Sequence, residues 1–419
     1  MSLTLDTPTR APTVNRDRYV VMDALRGFAL FGVMMVNLYT FGGVGALITE
    51  EQLAALPSAA LDERLKFLLD LLAYDKANTL FAFLFGLGFW IQMERLEARG
   101  APFKAIYLRR AGILLILGWV HLLCLFNWDI LHIYGIAAFI LFFCRNLSDR
   151  LLLWIGLPLL LFAMPFVSWV FEYFSTADPA AQEATAEAAL LARQAAAQSG
   201  DFLAFIGAMN RDYLVWFMAG GLLGWVFYAL GRFFMGAWVA RRGWIQNAQD
   251  HLPDYRRWLW PFLLSGFLLE SVHLLTDGLP EETLFGQIEL LRTVMHVVAT
   301  PLIAAGYVCA IVLLFHSRAL SWLVRPFAPV GQMALTNYLT QSVAIILILT
   351  AVGPGLALAG KAGVSTFAPL VVIFFSAQIL FSFFWMKFFA FGPAEWLWRA
   401  LTYGSRPHFL RKARPAIRT

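Results

Sequence analysis

Long apolar runs separated by short polar stretches dominate this 419-residue chain. A helix needs about 20 apolar residues to cross a bilayer's hydrocarbon core. By that measure ten spans are expected: 22–41, 77–93, 110–126, 129–144, 152–174, 213–236, 258–275, 293–315, 333–353 and 367–391. The second, third and fourth are short, and either cross a thin or water-accessible region or extend past these limits. The fold expected is an all-α polytopic integral membrane protein. Residues 1–19, with Pro8, Pro12 and three arginines, predict a disordered cytoplasmic tail. The apolar run that follows is span-length and lacks an A-x-A site, which argues against a cleaved signal peptide. Two bundles are expected, 20–240 and 241–392, followed by a basic cytoplasmic tail, 393–419. The Ala-rich stretch 179–198 predicts a short external helix, either a connector or a lid.

Composition sharpens the class. The chain is 60% hydrophobic and 14% charged, against about 25% charged in soluble domains, and its mean hydropathy is +0.67. A soluble core could not hide that much apolar surface, and a membrane barrel would show short alternating segments in a more polar sequence. With a cytoplasmic N-terminus, inner segments hold 22 Lys and Arg and outer segments hold 6. That asymmetry places both termini inside. Cys124, Cys144 and Cys309 fall in apolar runs without zinc-like spacing and read as packing residues. No metal, haem or flavin signature and no nucleic-acid partner is indicated. The bilayer is the evident partner, and a homo-oligomer is compatible with the sequence. No convincing internal repeat supports an inverted-repeat transporter.

Ionisable groups inside apolar runs carry the functional signal, because each is expensive at membrane depth without a partner or a cavity. They concentrate in RRAGILLILGWVHLLCLFNWDILHIY, residues 109–134, where two runs meet at a short turn. His121 lies before the turn, and Asp129 and His132 lie after it. The i, i+3 spacing of Asp129 and His132 lets the carboxylate orient or charge the imidazole. Asn37 lies eleven residues beyond Arg26, about 16 Å along a helix axis. That sets Asn37 at the depth of the other three, provided the helices are neighbours, in a polar cavity opening outward. Interhelical glue is the alternative for Asn37, and capping of a helical hairpin for the others. Asp23 and Arg26 are spaced to pair on one helix face, and Gly27 and Gly32 permit close helix contact. His273, His296, Asn337, Tyr338 and Gln341 read as packing or polar glue, with Asn337 and Gln341 on one face of the ninth span.

The motifs LRGFALFGVMMVN, LFGLGF, RR…H…WDILHIY, GQMALTNYLTQS and GPAEWLWRALTYG occur in this order over nearly the whole chain. On these the sequence resembles the YeiB-like family of bacterial membrane proteins, whose C-terminal domain is of unknown function. Trp128 departs from the Gly expected before Asp-Ile-Leu, which bears on the shape of the turn. The N-terminal half is in turn similar to transmembrane acyltransferases, including the lysosomal heparan-glucosaminide acetyltransferase. In the bacterial acyltransferases a His follows the Arg-Gly opening at the position of Asn37; in the heparan enzyme that residue is Asn, as here.

The resemblance implies a multi-pass protein of the bacterial inner membrane. The activity implied is acyl transfer from cytoplasmic acetyl-CoA or another acyl-CoA to a glycan, lipid or small-molecule acceptor on the outer side. Arg26, Arg109 and Arg110 are candidates for the coenzyme phosphates. His121 or His132 would be the general base, Asp129 would orient the ring, and Asn37 would donate to the oxyanion. No metal is required. The competing expectation is a transporter or exporter of a small solute, for which the span count and an outward polar cavity also suffice.

Overall fold

The computed structural model describes residues 19–42, 47–100, 102–174, 179–277, 279 and 289–411. The tail expected at 1–19 lies outside these except for Tyr19, as do 412–419 and most of the acidic loop 276–289. The helices are α1 (Val20–Gly42), α2 (Glu50–Ala54), α3 (Ala59–Leu72), α4 (Lys76–Ala98), α5 (Phe103–Cys124), α6 (Leu131–Phe143), α7 (Asp149–Tyr173) and α8 (Pro179–Gln198). They continue as α9 (Phe202–Met218), α10 (Gly221–Arg241), α11 (Leu252–Thr276), α12 (Glu289–His316), α13 (Phe327–Gln332), α14 (Ala334–Leu349), α15 (Val364–Phe388) and α16 (Pro393–Tyr403). Among the described residues there is no strand beyond an isolated antiparallel bridge between Phe389 and Leu410.

The protein is an all-α polytopic membrane protein. Seven helices, α1, α5, α7, α10, α11, α12 and α15, are long and apolar enough to cross a bilayer. Helices α6 and α14 are apolar but shorter. Helix α4 carries Lys76 at its start and Glu94, Arg95 and Glu97 at its end. Each of the ten expected spans falls on a helix, with shifted ends. The second and third extend past the expected limits, to 23 and 22 residues. The fourth does not: α6 has 13 residues, about 20 Å at 1.5 Å per residue. It is buried on most of its surface between α5, α10 and α4, so protein rather than lipid surrounds it. The sixth expected span begins too early. A left-handed Gly220 (φ 82°) separates α9 from α10, and residues 213–218 belong to α9. The stretch 393–403, expected within the tail, is a helix that buries Trp398 against α5, with its indole donating to the Arg110 carbonyl at 3.1 Å. The amphipathic α3 was not anticipated.

Helices α1 and α10 lie at the centre, and α7, α11 and α15 present most of their surface outward. One apolar core joins Leu25, Leu30, Leu84, Leu114, Leu141 and Phe233. A second joins Met34, Leu38, Phe205, Ile345 and Val371. Close approach of α1 and α13 depends on Gly27, where an added methyl would lie 2.1 Å from the Phe327 carbonyl oxygen. Of the cysteines only Cys309 is buried; Cys124 is exposed, which corrects its reading as a packing residue. Asn337 donates to Ser382 Oγ at 3.0 Å and Gln341 to Gln378 Oε1 at 2.9 Å, tying α14 to α15.

The start of α14 is capped from a distance. Glu395 on α16 accepts from the Leu335 and Thr336 amides at 2.6 and 3.1 Å and from the Thr336 hydroxyl at 2.6 Å. A carboxylate suits the positive end of a helix. Burial nevertheless pushes the Glu395 carboxyl above its ordinary value, against the lowering effect of these bonds. The folded state therefore binds the proton more readily than the unfolded chain, and this contribution to stability falls as pH rises from the ordinary glutamate value through the raised one. Glu395→Ala should cost about 1–3 kcal/mol by leaving buried donors unpaired. Glu395→Gln should cost less and remove the decline with pH. Thermal unfolding in detergent at several pH values checks both.

Candidate functional site

The turn between α5 and α6 is pinned onto α9. Asn127 Nδ2 donates to the Met209 carbonyl at 2.9 Å, and Asn210 Nδ2 to the Leu123 carbonyl at 3.0 Å. At Gly118 an added methyl would lie 2.1 Å from the His132 amide nitrogen, so only glycine lets α5 approach the start of α6 this closely. Trp128, where glycine was expected, stacks edge to face on Trp216 with ring centroids 5.1 Å apart.

These constraints set one carboxylate between two imidazoles. Asp129 Oδ1 lies 2.8 Å from His121 Nδ1 and Asp129 Oδ2 3.0 Å from His132 Nδ1. The His132 amide also donates to Oδ2 at 3.0 Å. All three side chains are at most 2% exposed. An ionised carboxylate only accepts, so both Nδ1 atoms carry hydrogens. In the neutral imidazoles each Nε2 is then an acceptor. Ser342 Oγ is 2.9 Å from His121 Nε2, and the Tyr213 hydroxyl is 2.9 Å from His132 Nε2. Tyr338 adds a long contact to Asp129 Oδ1 at 3.5 Å. Ser342, His121 and Asp129 follow the order of a nucleophile, its base and the group that orients the base. Ser342, however, is only 1% exposed and does not line the adjoining cavity.

That cavity, about 60 Å³, is lined by Asn37, Asp75, Asn78 and Asp129 among other residues. Asn37 and Asp129 are thus brought together as the expected depth requires. His121 and His132 stand behind Asp129 and do not line it. Asn37 and Asn78 are 7% and 8% exposed, and neither side chain has a hydrogen-bond partner among the described residues.

On its other side the cavity meets a second charged network. Asp75, which precedes α4, adopts a left-handed backbone (φ 61°) uncommon outside glycine, and such strain concentrates at functional sites. Its Oδ2 lies 3.3 Å from His296 Nε2. His296 Nδ1 is 3.1 Å from both carboxylate oxygens of Glu270. Glu270 forms a fully buried ion pair with Lys76, whose ammonium also donates to the Asp70 carbonyl at 2.7 Å. His296 on α12 therefore bridges Asp75 and Glu270, which is polar glue between helices. The His273 ring lies 5.0 Å from that of His296. Glu270 was legible in principle, as a carboxylate inside the run FLLSGFLLESVHLL. Ser342, Tyr213 and the conformation of Asp75 left no sequence signal.

The basic candidates lie elsewhere. Arg26 pairs with Asp23 at 3.3 Å. The Arg110 guanidinium stacks over Trp398 at 3.7 Å, with Arg26 and Arg399 close enough to repel it. Arg109 donates to the Thr402 carbonyl at 3.3 Å. Arg26 and Arg110 are thereby brought to one end of α1, while Arg109 holds α16.

Residues 239–405 match a family model described as "Protein of unknown function (DUF418)". That part of the chain is similar to DUF418 proteins. It is 28% identical over 417 residues to "Uncharacterized protein YxaH" of Bacillus subtilis (strain 168), covering 96% of this chain and 98% of that one. It is 29% identical over 414 residues to "Uncharacterized protein YeiB" of Escherichia coli (strain K12), with 96% and 98% covered. The YeiB-like resemblance thus runs along nearly the whole chain. The charged networks join the DUF418-like segment to the segment before it. Ser342, Glu270 and His296 lie inside 239–405; Asn37, Asp75 and Asp129 lie outside it.

Breaking a buried ion pair leaves one charge uncompensated, at a cost of about 3–5 kcal/mol. Lys76→Met alone should lower thermal stability by that order. Lys76→Met combined with Glu270→Gln should recover much of the loss, as read by unfolding in detergent.

Proposed function

We propose that the cavity between Asn37 and Asp129 is a site of acyl transfer. The protein lies in the bacterial cytoplasmic membrane with both termini inside. An acyl-CoA supplies the acyl group from the cytoplasm, and a glycan, lipid or small-molecule acceptor takes it on the outer side. One observation carries this reading. Asn37, whose amide has no hydrogen-bond partner among the described residues, and Asp129, whose buried carboxylate is braced by two imidazoles, line the same small cavity.

In this arrangement Asp129 meets the acceptor, and the histidines act one hydrogen bond further back. The acceptor nitrogen or oxygen forms the new bond to the thioester carbon while its proton passes to Asp129, whose charge His121 and His132 hold in place. The Asn37 amide donates to the oxygen on which negative charge develops. The carbon–sulfur bond then breaks, and the thiolate leaves and takes up a proton. Arg26 and Arg110, with the Trp398 ring, are the candidates for the coenzyme's phosphates and base. They lie about 16 Å from Asn37 along α1, so an extended thioester arm would have to run beside that helix.

A second reading, ion-coupled carriage of a solute, has one observation in its favour. The network from Asp75 through His296 and Glu270 to Lys76 reaches the same cavity, and acyl transfer does not require it.

Purified protein in proteoliposomes, given acetyl-labelled acetyl-CoA and a panel of amines and alcohols, should yield a labelled product. Asn37→Ala and Asp129→Asn should each lower turnover by about 100-fold or more with coenzyme binding retained. Arg110→Ala should weaken that binding. If folded wild-type protein binds neither acetyl-CoA nor longer acyl-CoAs, acyl transfer is overturned; solute flux without chemical change would establish the carrier.

A further inference from the structure

The walls of the cavity carry a second message, independent of whether an acyl group moves. Five of its lining residues are aromatic: Tyr74, Trp128, Tyr213, Trp216 and Trp225. Trp128, Tyr213 and Trp216 pack on one another, with centroids 5.1 to 6.4 Å apart. A belt of interfacial aromatics would turn its rings outward to lipid headgroups; these turn toward each other and toward a polar cavity. Two acidic residues, Asp75 and Asp129, line it, the Asp75 side chain 28% exposed and the Asp129 carboxylate fully buried in the wall, and no Lys or Arg among the described residues lines it. Both carboxylates are held by imidazoles that do not themselves face the cavity. Among apolar helices, a surface with one accessible carboxylate, a second buried in its wall and a π-rich remainder favours a cation.

The amides of Asn37 and Asn78 narrow the choice. Each is more than nine-tenths buried, lines the cavity and has no hydrogen-bond partner among the described residues. The Thr40 hydroxyl, which also lines it, has none either. Buried polar groups are nearly always paired, so these groups define a site that a ligand with its own donors would complete. A quaternary ammonium has no N–H and would leave the acceptors unmatched. A primary ammonium presents three N–H donors, and Asp75 and the Asn37 and Asn78 amide oxygens present acceptors for them.

The geometry points to a binding site for a small primary ammonium compound, its charged head enclosed by Trp128, Tyr213, Trp216 and Trp225, hydrogen-bonded by Asp75 and Asn78, and attracted by the buried charge of Asp129. The site goes beyond the acyl-transfer reading, since a carried solute would use it equally. Within that reading it names the acceptor as an amine: the ammonium gives one proton to Asp75 before its nitrogen attacks, and the second passes to Asp129 and on to the leaving thiolate.

Equilibrium dialysis of labelled ethanolamine against full-length protein in nanodiscs, with no acyl donor present, tests this directly. Saturable binding is expected, with the neutral isostere ethylene glycol competing at least about tenfold less well and tetramethylammonium less well than ethanolamine. Asp75→Asn keeps a residue that tolerates the left-handed backbone and should weaken binding about tenfold. Trp216→Leu should do the same, while Trp216→Phe, which keeps a ring, should bind within a few-fold of wild type even if the leucine variant fails to fold. The inference is overturned if cooperatively unfolding wild-type protein shows no saturable ethanolamine binding, if ethylene glycol competes equally, or if tetramethylammonium competes better. Binding of ethanolamine without any acyl transfer would keep the site and remove the enzyme reading.

Discussion

A carboxylate buried among apolar helices must be matched by donors or lose its charge. At Asp129 that match comes from two imidazoles and a backbone amide, and much of the surrounding structure serves to keep them there. Gly118 lets α6 start against α5. Asn127 and Asn210 fasten the turn to α9. Ser342 and Tyr213, from α14 and α9, occupy the outer nitrogens of the two rings. Elements more than 200 residues apart are therefore tied to a single side chain. The 13-residue α6 survives inside a membrane protein because its polar start is satisfied by these partners rather than by water.

The same constraint explains the second network. Lys76, Glu270, His296 and Asp75 form a chain in which every charge has an opposite or hydrogen-bonding neighbour. The two chains do not touch through a shared residue. They meet at the cavity, which Asp75 and Asp129 both line. A purely structural purpose would be met by closing that gap with apolar side chains, which often stabilise as well as an ion pair does. Two matched charge systems facing one small polar space are instead the arrangement expected where something charged or proton-bearing is handled.

The fold was largely legible because its cause is one-dimensional. Span-length apolar runs imply helices, and the expected spans fall on helices, the sixth divided between α9 and α10. The errors arose where tertiary context overrides the pattern: at Gly220, whose positive φ divides a continuous apolar stretch, and at α16, whose Trp398 makes a polar-looking tail into a packed helix. The site was legible in part. His121, Asp129 and His132 announced themselves as ionisable groups beside a turn, and Asn37 by its depth. Ser342 and Tyr213 did not, because a serine or tyrosine in an apolar helix is ordinary until its partner is known. Asp75 was invisible for a different reason: its significance lies in a backbone angle.

Shared depth does not by itself make helices neighbours; packing decides that. Equal depth placed Asn37 beside the histidines, yet the helices in contact with α1 are chiefly α13, α4, α14 and α15, not α5 or α6. Asn37 reaches Asp129 across the cavity, not across a helix interface. That separation matters chemically. Had α1 packed directly on α5, the Asn37 amide would have bonded a neighbouring backbone or side chain and served as glue, the alternative reading for a lone intramembrane asparagine. Held across an open space without a partner among the described residues, it has hydrogen-bonding capacity to offer a ligand, and Asp129 opposite has the charge to position it.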